Sequence, residues 1–195
     1  MGWNGMLGLV RGTTVDELAA IGMTPIGDPV DAETGLSASA EAYVVQQHGP
    51  DVVVLDGRSL FVDAAPIIGA LAGREVLGVI LSSVSDTYGL DVVTPDGRRQ
   101  IVSQEGAIVL DQGVALPEEP AAWDEDAALA LFERLSGRSF DAILAAPGVP
   151  VRGPSAARAV APPPLPGAER AAPDEPAAAP KDAARPRRRG LFRRR

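Results

Sequence analysis

The sequence contains no cysteine, and its only histidine is His48. The lack of cysteine excludes disulfide bonds, a thiolate nucleophile, and thiolate sites for zinc or iron–sulfur clusters. Metal sites and histidine-based catalysis usually combine histidine with defined partner side chains. We therefore interpret His48, which lies in the predicted turn HGPD, as a solvated turn residue. Aromatic residues are also scarce, at 4% of the chain.

Long hydrophobic runs are absent as well. The longest candidate is VLGVILSSV at residues 76–84, which has the length of a strand rather than the roughly 20 residues of a membrane span. The opening MGWNGMLGLV lacks the basic region of a signal peptide, and Arg11 interrupts its apolar run. We therefore expect a cytoplasmic protein that contacts the membrane only peripherally, at the inner face of the cell membrane.

Charge is distributed unevenly along the chain. The net charge is −8, yet residues 1–150 hold 22 acidic and 7 basic side chains, while residues 181–195 carry a net charge of +7. One lysine accompanies 17 arginines, a bias that is typical of a high-GC bacterial genome. Because phosphate contacts need a basic surface, the acidic body argues against direct nucleic-acid binding by the folded part.

The composition changes sharply near Pro147. Residues 151–186 hold nine of the 18 prolines together with much of the alanine. Such a segment has too little apolar side chain to offset the entropy cost of ordering. The sequence therefore predicts a globular domain over residues 1–147, a disordered Pro/Ala-rich linker over residues 148–184, and a basic tail over residues 185–195.

Four segments of the body have helix signals. They are TVDELAAIG at residues 14–22, with a capping box from Thr14 and Glu17; DAAPIIGALAG at 63–73, with Asp63 as its cap; DEDAALALFERLSG at 124–137, capped by Asp124; and a shorter helix over 139–146. The third is the clearest, because its apolar residues recur at helical spacing.

The strand signals lie between these helices. They are AEAYVVQQ at residues 40–47, DVVVLDG at 51–57, EVLGVILSSV at 75–84, and three strands within 87–113 that are joined by the turns PDGR and QEGA. Helices and hairpins in this order favour an α+β fold with a mostly antiparallel sheet and flanking helices.

Motifs for known chemistry are missing. Ser82, Ser83 and Ser85 occur in SSVSD without a nucleophile motif around them, and the glycine-rich start matches no phosphate-binding fingerprint. The clustered carboxylates, which we interpret as helix caps and solvated surface, are Glu118, Glu119, Asp124, Glu125 and Asp126. We therefore expect no catalytic residue, no cofactor and no metal site, with an enzyme that uses surface carboxylates as an alternative.

Residues 82–137 resemble small uncharacterised bacterial α+β domains, some of them similar to immunity proteins. The resemblance is carried by SSVSDTYGLDV, LDQGVALPEEP and LFERLSG. It implies a hairpin-rich sheet next to a C-terminal helix, and it supplies no catalytic residues. A toxin-neutralising protein, whose acidic body blocks a basic toxin site, is therefore a further alternative.

The tail RPRRRGLFRRR combines positive charge with two apolar residues. An arginine near an anionic membrane contributes about 1 kcal/mol, and Leu191 and Phe192 add apolar burial at the interface. The residues expected to bind an anionic surface are Arg185, Arg187, Arg188, Arg189, Leu191, Phe192, Arg193, Arg194 and Arg195. Nucleic acid and the chain's own acidic body are the alternative targets.

Together these observations predict a non-catalytic bacterial protein-interaction domain with a basic tail that docks to an anionic surface. Association with nucleic acid is the alternative for the tail, and the identity of the protein partner is left open by the sequence.

Overall fold

One antiparallel sheet organises the part of the chain that the computed structural model describes, residues 3–37, 42–59 and 61–153. Its strands are β1 (Asn4–Val10), β2 (Thr24–Pro25), β3 (Tyr43–His48), β4 (Asp51–Asp56), β5 (Val76–Ser82), β6 (Thr87–Thr94), β7 (Gly97–Gln104), β8 (Ala107–Gln112) and β9 (Val149–Arg152). They are ordered β2-β9-β3-β4-β1-β5-β6-β7-β8 across the sheet. Every neighbouring pair is antiparallel.

Helices flank this sheet, so the predicted α+β fold with a mostly antiparallel sheet is confirmed. They are α1 (Val15–Ala20), α2 (Ala32–Gly35), α3 (Phe61–Ala72), α4 (Glu125–Ser136) and α5 (Phe140–Leu144). The capping box of Thr14 and Glu17 begins α1, and the Asp124 side chain caps α4 by accepting from the backbone of Ala127. These short polar side chains accept hydrogen bonds from backbone N–H groups at the start of each helix, so both helices begin where the local sequence predicts.

Helix α3 begins at Phe61, two residues before the predicted cap. Asp56 at the end of β4 accepts from the backbone N–H groups of Phe61 at 2.6 Å and Arg58 at 2.9 Å. A carboxylate from the preceding strand thus satisfies a donor at the start of the helix. Asp63, predicted as the cap, instead lies in the first turn of α3, where its charge still suits the positive end of the helix.

The sheet has a hydrophobic core on each face. Leu7 and Leu9 of β1 point into one core, whereas Met6 and Val10 point into the other. This alternation follows the two-residue period of a strand. Helices α2, α4 and α5 contribute to the first core, and α1 and α3 contribute to the second. The central strands are therefore apolar on both sides, as the run at residues 76–82 indicates.

The sheet continues beyond residue 147, which is the predicted end of the globular domain. β9 lies between β2 and β3, and its Val151 is fully buried. Of the prolines at the predicted boundary, Pro147 precedes this short strand, and Pro150 lies within it opposite Val44. The rest of the predicted linker and the basic tail lie outside the described residues. No helix in the described ranges is long and apolar enough to cross a membrane.

Close packing at the centre of the sheet predicts a sharp sensitivity at Gly8. A Cβ atom there would lie 2.6 Å from Cε1 of Phe61, a buried ring of α3. Overpacking a rigid core site costs about 1–3 kcal/mol, so we expect Gly8→Ala to lower the free energy of unfolding by that amount in a urea titration.

Gly97→Ala is the matched control, because a Cβ atom on Gly97 would meet nothing within 4 Å. It should leave the unfolding midpoint unchanged or raise it slightly. An equal loss for both variants would contradict the packing of Phe61 over β1.

Candidate functional site

The two edges of the sheet are built differently. The edge strand β2 has only two residues, Thr24 and Pro25, and proline offers no backbone donor. The opposite edge strand, β8, has six residues and no proline, and within the described residues it pairs only with β7. Because short strands and prolines protect an edge against addition of another chain, β8 is the accessible edge.

Apolar side chains on and just after β8 are exposed in the described part of the chain. Ile108 is 50% exposed and Val109 is 59% exposed, and Val114, just beyond the strand, is 86% exposed. The neighbouring strand β7 has buried residues at every second position near its centre, whereas no residue of β8 is buried. Clustered exposed apolar side chains of this kind mark sites of interaction.

A β-bulge at Val109 sets the directions of the side chains along β8. Ile108 lies opposite Ser103 and Leu110 opposite Val102, so Val109 is the extra residue. The extra residue reverses the alternation of faces. As a result Asp111 lies opposite Ile101, on the same face as the side chain of Arg99.

Arg99 ties β7 to the segment that follows β8. Its side chain is 5% exposed, and its Nε and Nη2 donate to the two carboxylate oxygens of Glu119 at 2.8 and 2.7 Å. Its Nη1 donates to Asp111 and to the carbonyl of Gln112. Glu119 also accepts from the backbone N–H of Leu116 at 2.8 Å. We call Arg99, Glu119 and Asp111 the arginine clamp.

The clamp affects the ionisation of its members. Hydrogen bonds from Arg99 hold the pKa of Glu119 below its ordinary value, although burial opposes this shift. The same hydrogen bond raises the pKa of Arg99 above its ordinary value. Both groups are therefore charged at neutral pH, and a bidentate arginine–carboxylate pair fixes the path of residues 113–119 with high geometric precision.

A recess of about 400 Å³ lies beside the end of β8. It is bounded by Val92, Thr94, Gly97, Arg99, Val114 and Leu116. Gly113 makes the sharp crossing possible, since its φ is +84° and a Cβ atom there would collide with the backbone of Arg98. We call Ile108, Val109, Val114 and this recess the β8 surface.

The charges around the β8 surface are mostly negative. Arg98 donates to both carboxylate oxygens of the buried Asp91, each at 2.7 Å, and Arg99 belongs to the clamp. In contrast, the side chains of Asp96, Glu105 and Glu118 have no hydrogen-bond or ion-pair partner in the described ranges. Both arginines are thus neutralised within the domain. Asp96 lines the recess, Glu105 precedes β8 and Glu118 follows it, with the Arg134 side chain at the backbone carbonyl of Glu118.

His48 does not fit its interpretation as a solvated turn residue. It is the last residue of β3 and is half-buried, and its Nε2 lies 3.0 Å from Oε1 of Gln46. Burial lowers the pKa of His48, and the nearby charge of Arg138 lowers it further. The tight turn at Gly49 and Pro50 brings the strand ends together, so His48 pairs with Asp51.

The clustered carboxylates serve separate roles. Glu119 belongs to the clamp and Glu118 is exposed beside it, while Asp124 caps α4 and Glu125 accepts from the hydroxyl of Ser83. Asp126 lies in the first turn of α4. Across the described ranges no group of three or more histidine, aspartate and glutamate residues could hold a metal ion.

Ser82 and Ser85 form a small hydroxyl network at the turn between β5 and β6. Ser85 donates to the hydroxyl of Ser82 at 2.8 Å, and Ser82 donates to the side-chain carbonyl of Asn4 at 2.8 Å. Val84 between them is 87% exposed. These contacts order the turn and do not pair a serine with a histidine.

Sequence reasoning missed the β8 surface. The signals were GRRQIV, which places arginines next to a strand core, and AIVLDQ, whose three successive apolar residues break the alternation of a half-buried strand. Neither signal shows which strand becomes an edge, because that depends on the order of strands across the sheet.

The clamp predicts that Glu119→Gln lowers the free energy of unfolding at pH 7 by about 1–3 kcal/mol, since a charged hydrogen-bond partner of a buried guanidinium is lost. Glu118→Gln is the matched control, and thermal unfolding of both variants is the measurement. Equal stability of the two variants would contradict the structural role of the clamp.

The same pair predicts a pH dependence. Because folding lowers the pKa of Glu119 below its ordinary value of 4.5, its stabilising contribution is complete above that pH and is lost as pH falls through the folded-state pKa. The stability difference between wild type and Glu119→Gln should therefore shrink below about pH 4.5.

Comparison of the chain with protein-family models, curated proteins and solved structures found no match. The resemblance of residues 82–137 to small bacterial interaction domains stays a prediction. The candidate site is therefore the β8 surface as its own geometry defines it.

Proposed function

We propose that this chain is a non-catalytic protein-interaction domain that docks a partner on the β8 surface. The observation that carries the proposal is the open edge strand itself, with Ile108 and Val109 at least half exposed. Burying apolar side chains contributes about 25 cal/mol per Å² removed from water. An exposed strand edge adds backbone hydrogen bonds to that contribution.

The rigidity of the β8 surface supports the same proposal. Arg99 and Glu119 hold the wall of the recess in place through two short charged hydrogen bonds. A partner therefore meets a surface that is already ordered, and a preorganised surface reduces the entropy cost of binding.

The roles of the nearby polar groups favour docking over catalysis by surface carboxylates. Asp91 is neutralised by Arg98, and Glu119 and Asp111 by Arg99. Acid–base chemistry by a carboxylate pair needs groups whose environments separate their pKa values. The paired carboxylates here stabilise the fold, whereas the open edge of β8 and its exposed apolar side chains support docking.

The tail extends this proposal to location. We propose that residues 185–195 attach the chain to an anionic surface, and that a lipid bilayer is that surface. The support is the sequence alone, in which seven arginines flank Leu191 and Phe192. These residues lie outside the described ranges.

Interaction at β8 predicts a partner that depends on Val109. Affinity capture from cells that natively produce the chain, followed by quantitative mass spectrometry, should show a protein that Val109→Lys loses by about tenfold, since one desolvated lysine costs over 1.4 kcal/mol. Val84→Lys is the matched control, because it adds the same charge at an exposed valine away from the edge.

Retention of every captured protein by both variants, with both folded by circular dichroism, would contradict docking at β8.

The tail predicts reversible attachment to anionic lipid. The full chain should co-sediment with vesicles of phosphatidylserine and phosphatidylcholine at low salt, and a chain that ends at residue 180 should not. Replacing Leu191 and Phe192 by alanine should weaken binding without changing its salt dependence.

Equal sedimentation of the full and shortened chains would contradict the role of the tail. Retention on duplex DNA without sedimentation on these vesicles would favour nucleic acid as the target.

A further inference from the structure

We infer that the partner's docking segment is an extended, basic strand that adds to β8 as a tenth strand. The inference rests on the proposed function and names the chemistry of the partner. It combines three properties of β8 and its surroundings: an open backbone edge, exposed apolar side chains on that strand, and unpaired negative charge nearby.

The backbone of β8 fits an added strand. An edge strand directs the N–H and C=O groups of alternate residues away from its neighbour. β8 has six residues, Ala107–Gln112, and covers roughly 20 Å at about 3.3 Å per residue, which matches a partner segment of about six residues. The bulge at Val109 interrupts the regular ladder, so it favours a short added strand over extended sheet growth.

Exposed apolar side chains lie on the same strand. Ile108 and Val109 stand near the start of β8, and they are 50% and 59% exposed. A strand that runs along β8 therefore passes both residues, and its own apolar side chains can pack against them.

The charge of the surroundings selects a basic segment. Arg98 and Arg99, the arginines that line the recess, are bound to carboxylates of the domain. Asp96, Glu105 and Glu118 are left without a partner in the described part of the chain. Lysine or arginine residues that flank the apolar positions of a partner would pair with them, whereas an acidic segment would be repelled.

A second copy of this chain is the competing occupant. Pairing of two β8 strands would bring the free carboxylates of both copies to one interface. Residues 1–150 hold 22 acidic and 7 basic side chains, so like charge opposes self-association over the whole body as well. The charge pattern therefore favours a basic segment over the acidic β8 strand of a second copy.

Three synthetic peptides test the inference on the full chain by fluorescence polarisation. The basic probe is KVTVKVLK, the acidic probe is EVTVEVLE, and the third is KVTVKVLK with alternate backbone amides N-methylated. We expect the basic probe to bind at least tenfold more tightly than the acidic probe. N-methylation should weaken binding at least tenfold, because it removes backbone donors and widens the strand.

Variants locate the binding site. Val109→Lys should weaken binding of the basic probe about tenfold, whereas Val84→Lys should change it less than twofold. Val109 and Val84 are 59% and 87% exposed, so both variants add the same charge at an exposed valine. Circular dichroism of each variant checks that the fold is kept.

Each contrary result would overturn a different part of the inference. Equal affinity for the basic and acidic probes would overturn the basic class and leave docking at β8 intact. Unchanged affinity after N-methylation would overturn strand addition. Absence of binding by all probes would overturn the partner chemistry, while the capture experiment tests docking itself. A dimer in sedimentation that Val109→Lys dissociates would assign β8 to a second copy instead.

Discussion

An open sheet has two edges, and each presents backbone groups that need a partner or protection. This constraint shapes the molecule, because the helices pack on the two faces of the sheet and, within the described residues, each edge strand pairs with a single neighbouring strand. The β2 edge is protected by its length of two residues and by Pro25. The β8 edge has the length of an ordinary strand and exposed valine and isoleucine side chains. The asymmetry gives the domain one direction in which it can extend.

The arginine clamp shapes the chain next to that edge, and it does so by burying a charged group. Burying a guanidinium requires that its charge and its donors be matched, and loss of one partner is strongly destabilising. Arg99 meets this requirement with Glu119, Asp111 and the carbonyl of Gln112. A hydrophobic residue at this position would pack against the core without directing the chain after β8. The clamp instead fixes Leu116 and Val114 around the recess, so its polar network specifies a surface as well as stabilising a fold.

The sequence predicts this fold well where its signals are local. The caps at Thr14 and Asp124 and the turns PDGR and QEGA depend on neighbouring residues, and the structure has helices and hairpins there. Asp56 was missed because its partner N–H lies across a loop, and a strand residue does not normally cap a helix. β9 was missed because proline composition outweighed a four-residue strand signal. The edge position of β8 depends on the order of all the strands, which no local pattern contains.

Separation of charge along the chain makes the two proposed contacts compatible. A body with an excess of carboxylates is repelled by an anionic membrane, and a basic partner strand is attracted to both. At physiological ionic strength the repulsion falls off over about 8 Å. Thirty-one residues separate the last described residue, Gly153, from Arg185, the first arginine of the tail. The proposed membrane contact uses residues 185–195 alone, so it does not require the acidic body itself to touch the anionic surface.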